Sequence, residues 1–284
     1  MGPFVLLGII TGSLYALFAL GIVLMYQTTG IVNLAFGALG VLAAFGFHSL
    51  AEALPTGVAF VAVLAASVAG GALLGLITLP ARFASVMTKS IASLGIVITL
   101  PAFVAIVWGT DIRSTPFLSR SQAVTVFGVV VTTQQVITVA AAVAVAAGML
   151  ALFRWSHVGS ALRAVATDVE TAQLVGLPVR RLWVLSWCGA TFAAALAAML
   201  VVPSTSLSIN TITFVVLSPL AAALAAQFRR PLVALGAALA TGVVDGILAK
   251  DADWSSYRGV VPLVVALIGT LSYRSSAFQR WERV

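Results

Sequence analysis

Apolar residues in this chain fall in long runs separated by short polar or charged clusters. Runs at 3–26, 31–50, 56–79, 91–108, 134–153, 183–202, 212–228, 231–249 and 260–273 are each bounded by charge, proline or a polar cluster. About 20 apolar residues cross a hydrocarbon core of about 30 Å as a helix, so the pattern predicts an all-α polytopic membrane protein. Roughly eight to ten crossings fit, with nine preferred, in one transmembrane domain over residues 1–284. Two runs are candidates for re-entrant segments: the short last one, and the second, which opens on the broken Thr28-Thr29-Gly30.

Composition removes the alternatives to a membrane protein. The chain is 61% hydrophobic and 8% charged, against about 25% charged for a soluble domain. Its net charge of +7 would suggest a nucleic-acid partner in a soluble protein. Here the basic residues lie between apolar runs and act as topology determinants, so no nucleic acid is expected. With residues 154–182 placed in the cytoplasm, Arg82, Lys89, Arg154, Arg163, Arg180, Arg181, Arg229, Arg230, Arg274, Arg280 and Arg283 fall on one side. Arg113, Arg120, Lys250 and Arg258 fall on the other. The asymmetry puts the N-terminus outside and the C-terminus inside. No Lys or Arg occurs before Arg82, so Met1 to Met25 reads as a mature membrane segment rather than a signal peptide.

This topology makes residues 109–133 the longest outer loop. The β-branched stretch from Val124 to Thr132, around Phe127-Gly128, predicts a short hairpin over the outer mouth. The alternative is that Val126 to Val131 extends the next helix. Glycines spaced four apart, Gly8 and Gly12, Gly71 and Gly75, Gly242 and Gly246, suit close helix packing, either as a moving interface or as a static seam.

Catalytic chemistry is nearly absent. His48 and His157 are the only histidines and Cys188 is the only cysteine, so no disulfide or cysteine-based metal site exists within the chain. There is no HExxH, GxSxG or GxxxxGK[ST] pattern; any nucleotide binding belongs elsewhere, and no catalytic or metal-ligating residue is assigned.

Polar residues within the apolar runs are the remaining candidates. Asp245 is the one acid well inside a run. It reads either as lining a polar pathway or as a helix-end carboxylate satisfied by water or Lys250. Gln27, Thr28, Thr29 and Asn33, followed by Phe36, Gly37 and Gly40, suit a passage for a small amphipathic solute. They equally suit a capped helix entry, with Asn33 and Thr29 satisfying orphan amides. Ser93, Gly95 and Thr99, near Pro101, form a milder version of this cluster.

The most polar stretch is Ser156 to Leu182, within the inner loop 154–182. Ala161 to Val175 has helix-forming composition, Thr167 is placed to cap a second turn with Glu170 three residues on, and Gly176 and Pro178 stop the helix. Its polar face mixes Arg163, Asp168 and Glu170, which suits docking to a protein better than to anionic lipid.

Gly159, Arg163, Ala164, Ala166, Asp168, Ala172, Leu174 and Gly176, in the order GxxxRAxAxDxxxAxLxG, resemble the cytoplasmic coupling loop of the LivH-like permeases of branched-chain amino-acid ABC importers. Residues 29–37 resemble that family's GxxNxAxG motif. The resemblance implies an all-helical, multi-pass permease of the bacterial cytoplasmic membrane without its own ATPase motif. It further implies a second homologous permease, two cytoplasmic ATPase subunits that hold ATP and Mg, and an external solute-binding protein; this chain itself would hold no cofactor. Gly159, Arg163, Ala164, Asp168, Glu170, Ala172 and Gly176 would then carry or shape the ATPase-coupling helix. Gln27, Asn33, Phe36, Gly37, Ser93, Gly95, Thr99 and Asp245 would be the pathway candidates. The cargo would be a branched-chain amino acid or a similar small polar solute. The chain departs from the family at Ala226-Gln227-Phe228-Arg229-Arg230-Pro231, where relatives commonly carry a glycine-rich turn. The rival reading is an autonomous ion-coupled secondary transporter, which needs several intramembrane charges where this chain offers mainly Asp245.

Overall fold

A computed structural model describes residues 2–30, 32–33, 35–113, 124–126, 129–204, 207–208, 215–249 and 258–281. Seven of its helices are long and apolar enough to cross a membrane. They lie in α1 (Gly2–Thr29), α2 (Phe36–Ala53), α3 (Thr56–Ile77), α4 (Val86–Trp108), α5 (Thr133–Trp155), α8 (Val179–Val201) and α10 (Pro231–Leu248). Between α5 and α8 come two short helices, α6 (His157–Thr167) and α7 (Val169–Leu174). The 212–228 run contains the short helix α9 (Leu217–Ala225), and the last run forms α11 (Val261–Trp281), longer than its apolar stretch predicts. All nine apolar runs thus contain helix.

The bundle is organised around α1, α2 and α8, buried over 67%, 61% and 67% of their most apolar windows. By contrast, α3 and α4 are only 17% and 11% buried and present apolar faces outward, as helices facing lipid or a partner must. Two glycine seams close the interior. Gly8 and Gly12 of α1 meet Gly242, Val243 and Leu239 of α10 backbone to backbone, and Gly71 and Gly75 of α3 meet the backbone of α8 at Trp187 and Val184. In lipid such close approach replaces the hydrophobic drive with dispersion along the seam.

Cross-chain contacts sort the helix ends into two sets. At one end the Trp183 indole donates to Thr78 (3.2 Å), Lys89 lies over the Trp183 ring, and Gln27 donates to the Arg229 carbonyl. This end gathers Arg82, Lys89, Arg154, Arg163, Arg180, Arg181, Arg229 and Arg230 and is the basic end. At the opposite end Trp108 donates to Ser49, and Arg113 and Leu207 exchange backbone bonds of 3.0 and 2.9 Å. The predicted hairpin lies on this side: β1 (Val124–Val126) pairs antiparallel with β2 (Val129–Val131), so this stretch does not extend α5. Its Phe127-Gly128 turn, Arg120 and Lys250 lie outside the described residues.

Candidate functional site

The polar loop folds into a tight two-helix element at the basic end. Ser156 opens α6, its hydroxyl accepting from the Val158 amide. One side of the element is anchored by a small core of Leu162, Val165, Ala172, Val179 and Leu182. Gly159 is required by packing, because a side chain there would run into the Leu152 carbonyl and the Phe153 backbone where α6 folds back on α5.

The cap within this element differs from the sequence expectation. Asp168, extended at φ −153°, breaks the helix and caps α7, accepting from the amides of Glu170 (3.0 Å) and Thr171 (3.1 Å). The Thr171 hydroxyl donates to its second oxygen at 2.5 Å. Thr167 instead donates back to the Arg163 carbonyl within α6. Asp wins because its two carboxylate oxygens serve both amides and a hydroxyl at once, whereas the single Thr167 hydroxyl is turned back to donate to its own helix. The Thr171 hydroxyl and amide, then the Glu170 amide, hold the Asp168 carboxyl below the usual carboxylate range. At the far end Gly176, at φ +86°, takes a left-handed conformation and lets Leu177 donate to the Ala172 carbonyl.

The seven coupling candidates therefore divide by role. Gly159, Asp168, Ala172 and Gly176 build the element, and Arg163 turns toward the Phe153 ring, 5.8 Å from its centroid. Ala164 and Glu170 remain on the exposed face. Leu174, part of the family-like motif but not among the coupling candidates, and Val175, absent from both, stand 87% and 77% exposed at the tip. The signal was available: they are apolar residues at the end of the most polar segment.

The two family-like motifs meet in space. Gly30, at φ +73°, ends α1 directly against the Ala166 carbonyl of α6, where a β-carbon would come within 2.5 Å of that oxygen.

The pathway candidates are spread over α1, the start of α2, α4 and α10. Asn33 is buried and its side-chain oxygen accepts from the Ala35 amide (2.9 Å) in a local turn just ahead of α2, whose N-cap Ala35 has no side-chain cap, while Thr29 donates to Met25 of its own helix. Phe36 packs edge-on against Phe18 at 6.0 Å and covers Gly21; Gly37 sits under Val216. Gln27 is bound to the Arg229 carbonyl. Ser93 is buried against its own helix, whereas Gly95 and Thr99 lie exposed on α4. Asp245 is buried and accepts from the Tyr15 hydroxyl at 3.0 Å, joining α10 to the middle of α1.

The turn that departs from the family is also informative. Gln227 and Phe228 have φ of 54° and 55°, conformations that favour glycine. They are held by the Gln27 bond to Arg229 and by stacking of Phe228 on Tyr26 at 5.1 Å.

A family model described as the permease component of branched-chain amino acid transport systems matches residues 4–270. The chain belongs to this family. The chain is similar to the high-affinity branched-chain amino acid transport system permease protein LivH of Escherichia coli K12, at 26% identity over 208 residues and 68% of each chain. The LivH protein of Salmonella typhimurium LT2 matches over the same share. Among solved structures, PsaBC from Streptococcus pneumoniae in complex with Fab matches at a TM-score of 0.50 and 15% identity. That alignment covers 94% of this chain and 90% of the other, and it speaks to the fold alone. As a member of the permease family with seven membrane-length helices, this chain is a multi-pass transport protein of the cytoplasmic membrane.

Proposed function

We propose that this chain is the non-enzymatic membrane subunit of an ATP-binding-cassette importer, moving a branched-chain amino acid or a similar small polar solute inward. Its partners would be a second homologous permease, two ATPase subunits that bind ATP and Mg, and an external solute-binding protein. The observation that carries this reading is the α6–α7 element. It is a preorganised, capped helix pair with exposed Leu174, Val175 and Glu170 at the basic end, seated against the end of α1. An interfacial anchor would need only a basic amphipathic stripe. A rigid projection with apolar tips and an acid suits a groove in a partner protein.

Co-purification with candidate ATPase subunits tests it. Glu170→Lys and the pair Leu174→Asp with Val175→Asp should lower both assembly and solute-stimulated ATP hydrolysis, because these side chains are exposed and their loss leaves the fold intact. Asp168→Lys is less clean, since it also removes the cap of α7. Unchanged assembly and unchanged hydrolysis in all of these variants would make the coupling assignment wrong. Solute uptake driven by an ion gradient, with no ATPase subunit present, would favour the secondary-transporter alternative, for which Asp245 is the relevant observation.

A further inference from the structure

At the basic end a pocket of about 360 Å³ opens between the ends of α1 and α5, helix α6 and the turn before α10. Three guanidinium groups line it, from Arg154, Arg163 and Arg229, together with Gln27 and the apolar Met149 and Phe153. No carboxylate is in the lining. Arg154, Arg163 and Arg229 come from three separate elements and are all exposed, so water and salt screen much of their mutual repulsion and a bound anion would offset the rest.

The pocket is also built. Arg163 is oriented by the Phe153 face, a cation–π contact. Arg229 is delivered by the turn whose Gln227 and Phe228 are both left-handed, a strained conformation for residues with a side chain. Such strain persists only where surrounding contacts over-determine it, here the Gln27 bond and the Tyr26–Phe228 stack.

We infer that this three-arginine pocket binds the phosphate headgroup of an anionic phospholipid in the inner leaflet. Depth selects lipid over other anions. Arg154 and Trp155 end the membrane-length helix α5, and Trp155 is 79% exposed, as an indole at the headgroup level is. Arg229 lies two residues before α10, so Arg154 and Arg229 stand at the ends of membrane-length helices, where a bilayer's phosphates run, and Arg163 faces the same pocket. Arginine forks match phosphate oxygens, and the Met149 and Phe153 floor accepts the glycerol end of the lipid. Occupancy would tie α6 to α5 and to the turn before α10 through one bridging anion.

Native mass spectrometry of the purified full chain tests this, with phosphatidylglycerol, phosphatidylcholine or inorganic phosphate added separately. Wild type should retain phosphatidylglycerol well above phosphatidylcholine. Each arginine should contribute about fivefold, so Arg163→Gln with Arg229→Gln should abolish most of the preference. Replacing all three arginines with lysine should keep part of it. Should the glutamine variant not fold, raising salt from about 50 mM to about 500 mM on wild type should weaken retention of phosphatidylglycerol and not of phosphatidylcholine. Equal retention of the two lipids by wild type, or a preference indifferent to both substitution and salt, overturns the site. Displacement of the lipid by millimolar inorganic phosphate makes it a small-anion site instead. Displacement on adding ATPase subunits makes it a contact for an acidic protein segment; either result overturns the lipid assignment.

Discussion

Alanine at Gly8 is the sharpest probe of the packing. A β-carbon there would lie 2.6 Å from the Val243 α-carbon and 2.8 Å from the Gly242 carbonyl, both backbone atoms that no rotamer change can move. Restoring an ordinary contact of about 3.4 Å requires α1 and α10 to part by about 0.8 Å. A gap of 0.5–1 Å forfeits about a quarter to a half of each dispersion contact beside it. Overpacking of this kind costs roughly 1–3 kcal/mol, against which the better helix propensity of alanine returns about 1 kcal/mol. Gly236 on α10 is the control, since nothing lies within 4 Å of its would-be β-carbon. Thermal unfolding of the detergent-solubilised chain, followed by tryptophan fluorescence, should rank Gly236→Ala at or above wild type and Gly8→Ala below both. Equal melting temperatures for the two alanine variants would refute the closed seam.

Four further outcomes follow from particular contacts. Asp168→Ala should strip protection from the Glu170 and Thr171 amides in hydrogen exchange, while Asp168→Asn, still an acceptor, should retain most of it. Because the folded Asp168 pKa is lowered, its contribution is complete above the unfolded value of about 3.9 and is lost as pH falls through the folded one; the same amides should lose protection only in that acid window. Tyr15→Phe leaves the buried Asp245 carboxylate one donor short, which costs roughly 1–3 kcal/mol and should lower the melting temperature. Gln227→Gly should be neutral or stabilising by up to about 1 kcal/mol, since it relieves a left-handed residue at the entropic cost of glycine, whereas Phe228→Gly should destabilise by losing the Tyr26 stack.

The sequence made the helices legible because an apolar run of membrane length has no soluble alternative. It made the α6–α7 element legible because Gly176 and Pro178 punctuate a polar island. It failed wherever several residues compete for one partner. Thr167 and Asp168 are both good caps by type, and only the local geometry decides that the carboxylate collects the amides. Asn33 reads as a pathway residue or a cap by type, and the turn bond it makes to the Ala35 amide depends on local backbone geometry that the sequence pattern does not show. The arginines at 154, 163 and 229 each serve the topology rule alone, and their convergence depends on a turn with two left-handed residues and no glycine to announce it. The spans of 212–228 and 260–273 show a related limit: hydropathy marks where apolar residues lie, while helix ends follow backbone geometry as well.

The junction of Gly30 with Ala166 has a mechanical consequence. Less than one methyl group of clearance separates the end of α1 from the α6 backbone, so no compliant side chain lies between them to absorb a small displacement. At 28 residues, α1 is a strut about 42 Å long, and its far end is clamped by the glycine seam to α10. A push on α6 along the bundle axis therefore arrives as movement of the whole rod, and α10 must travel with it or the seam must shear.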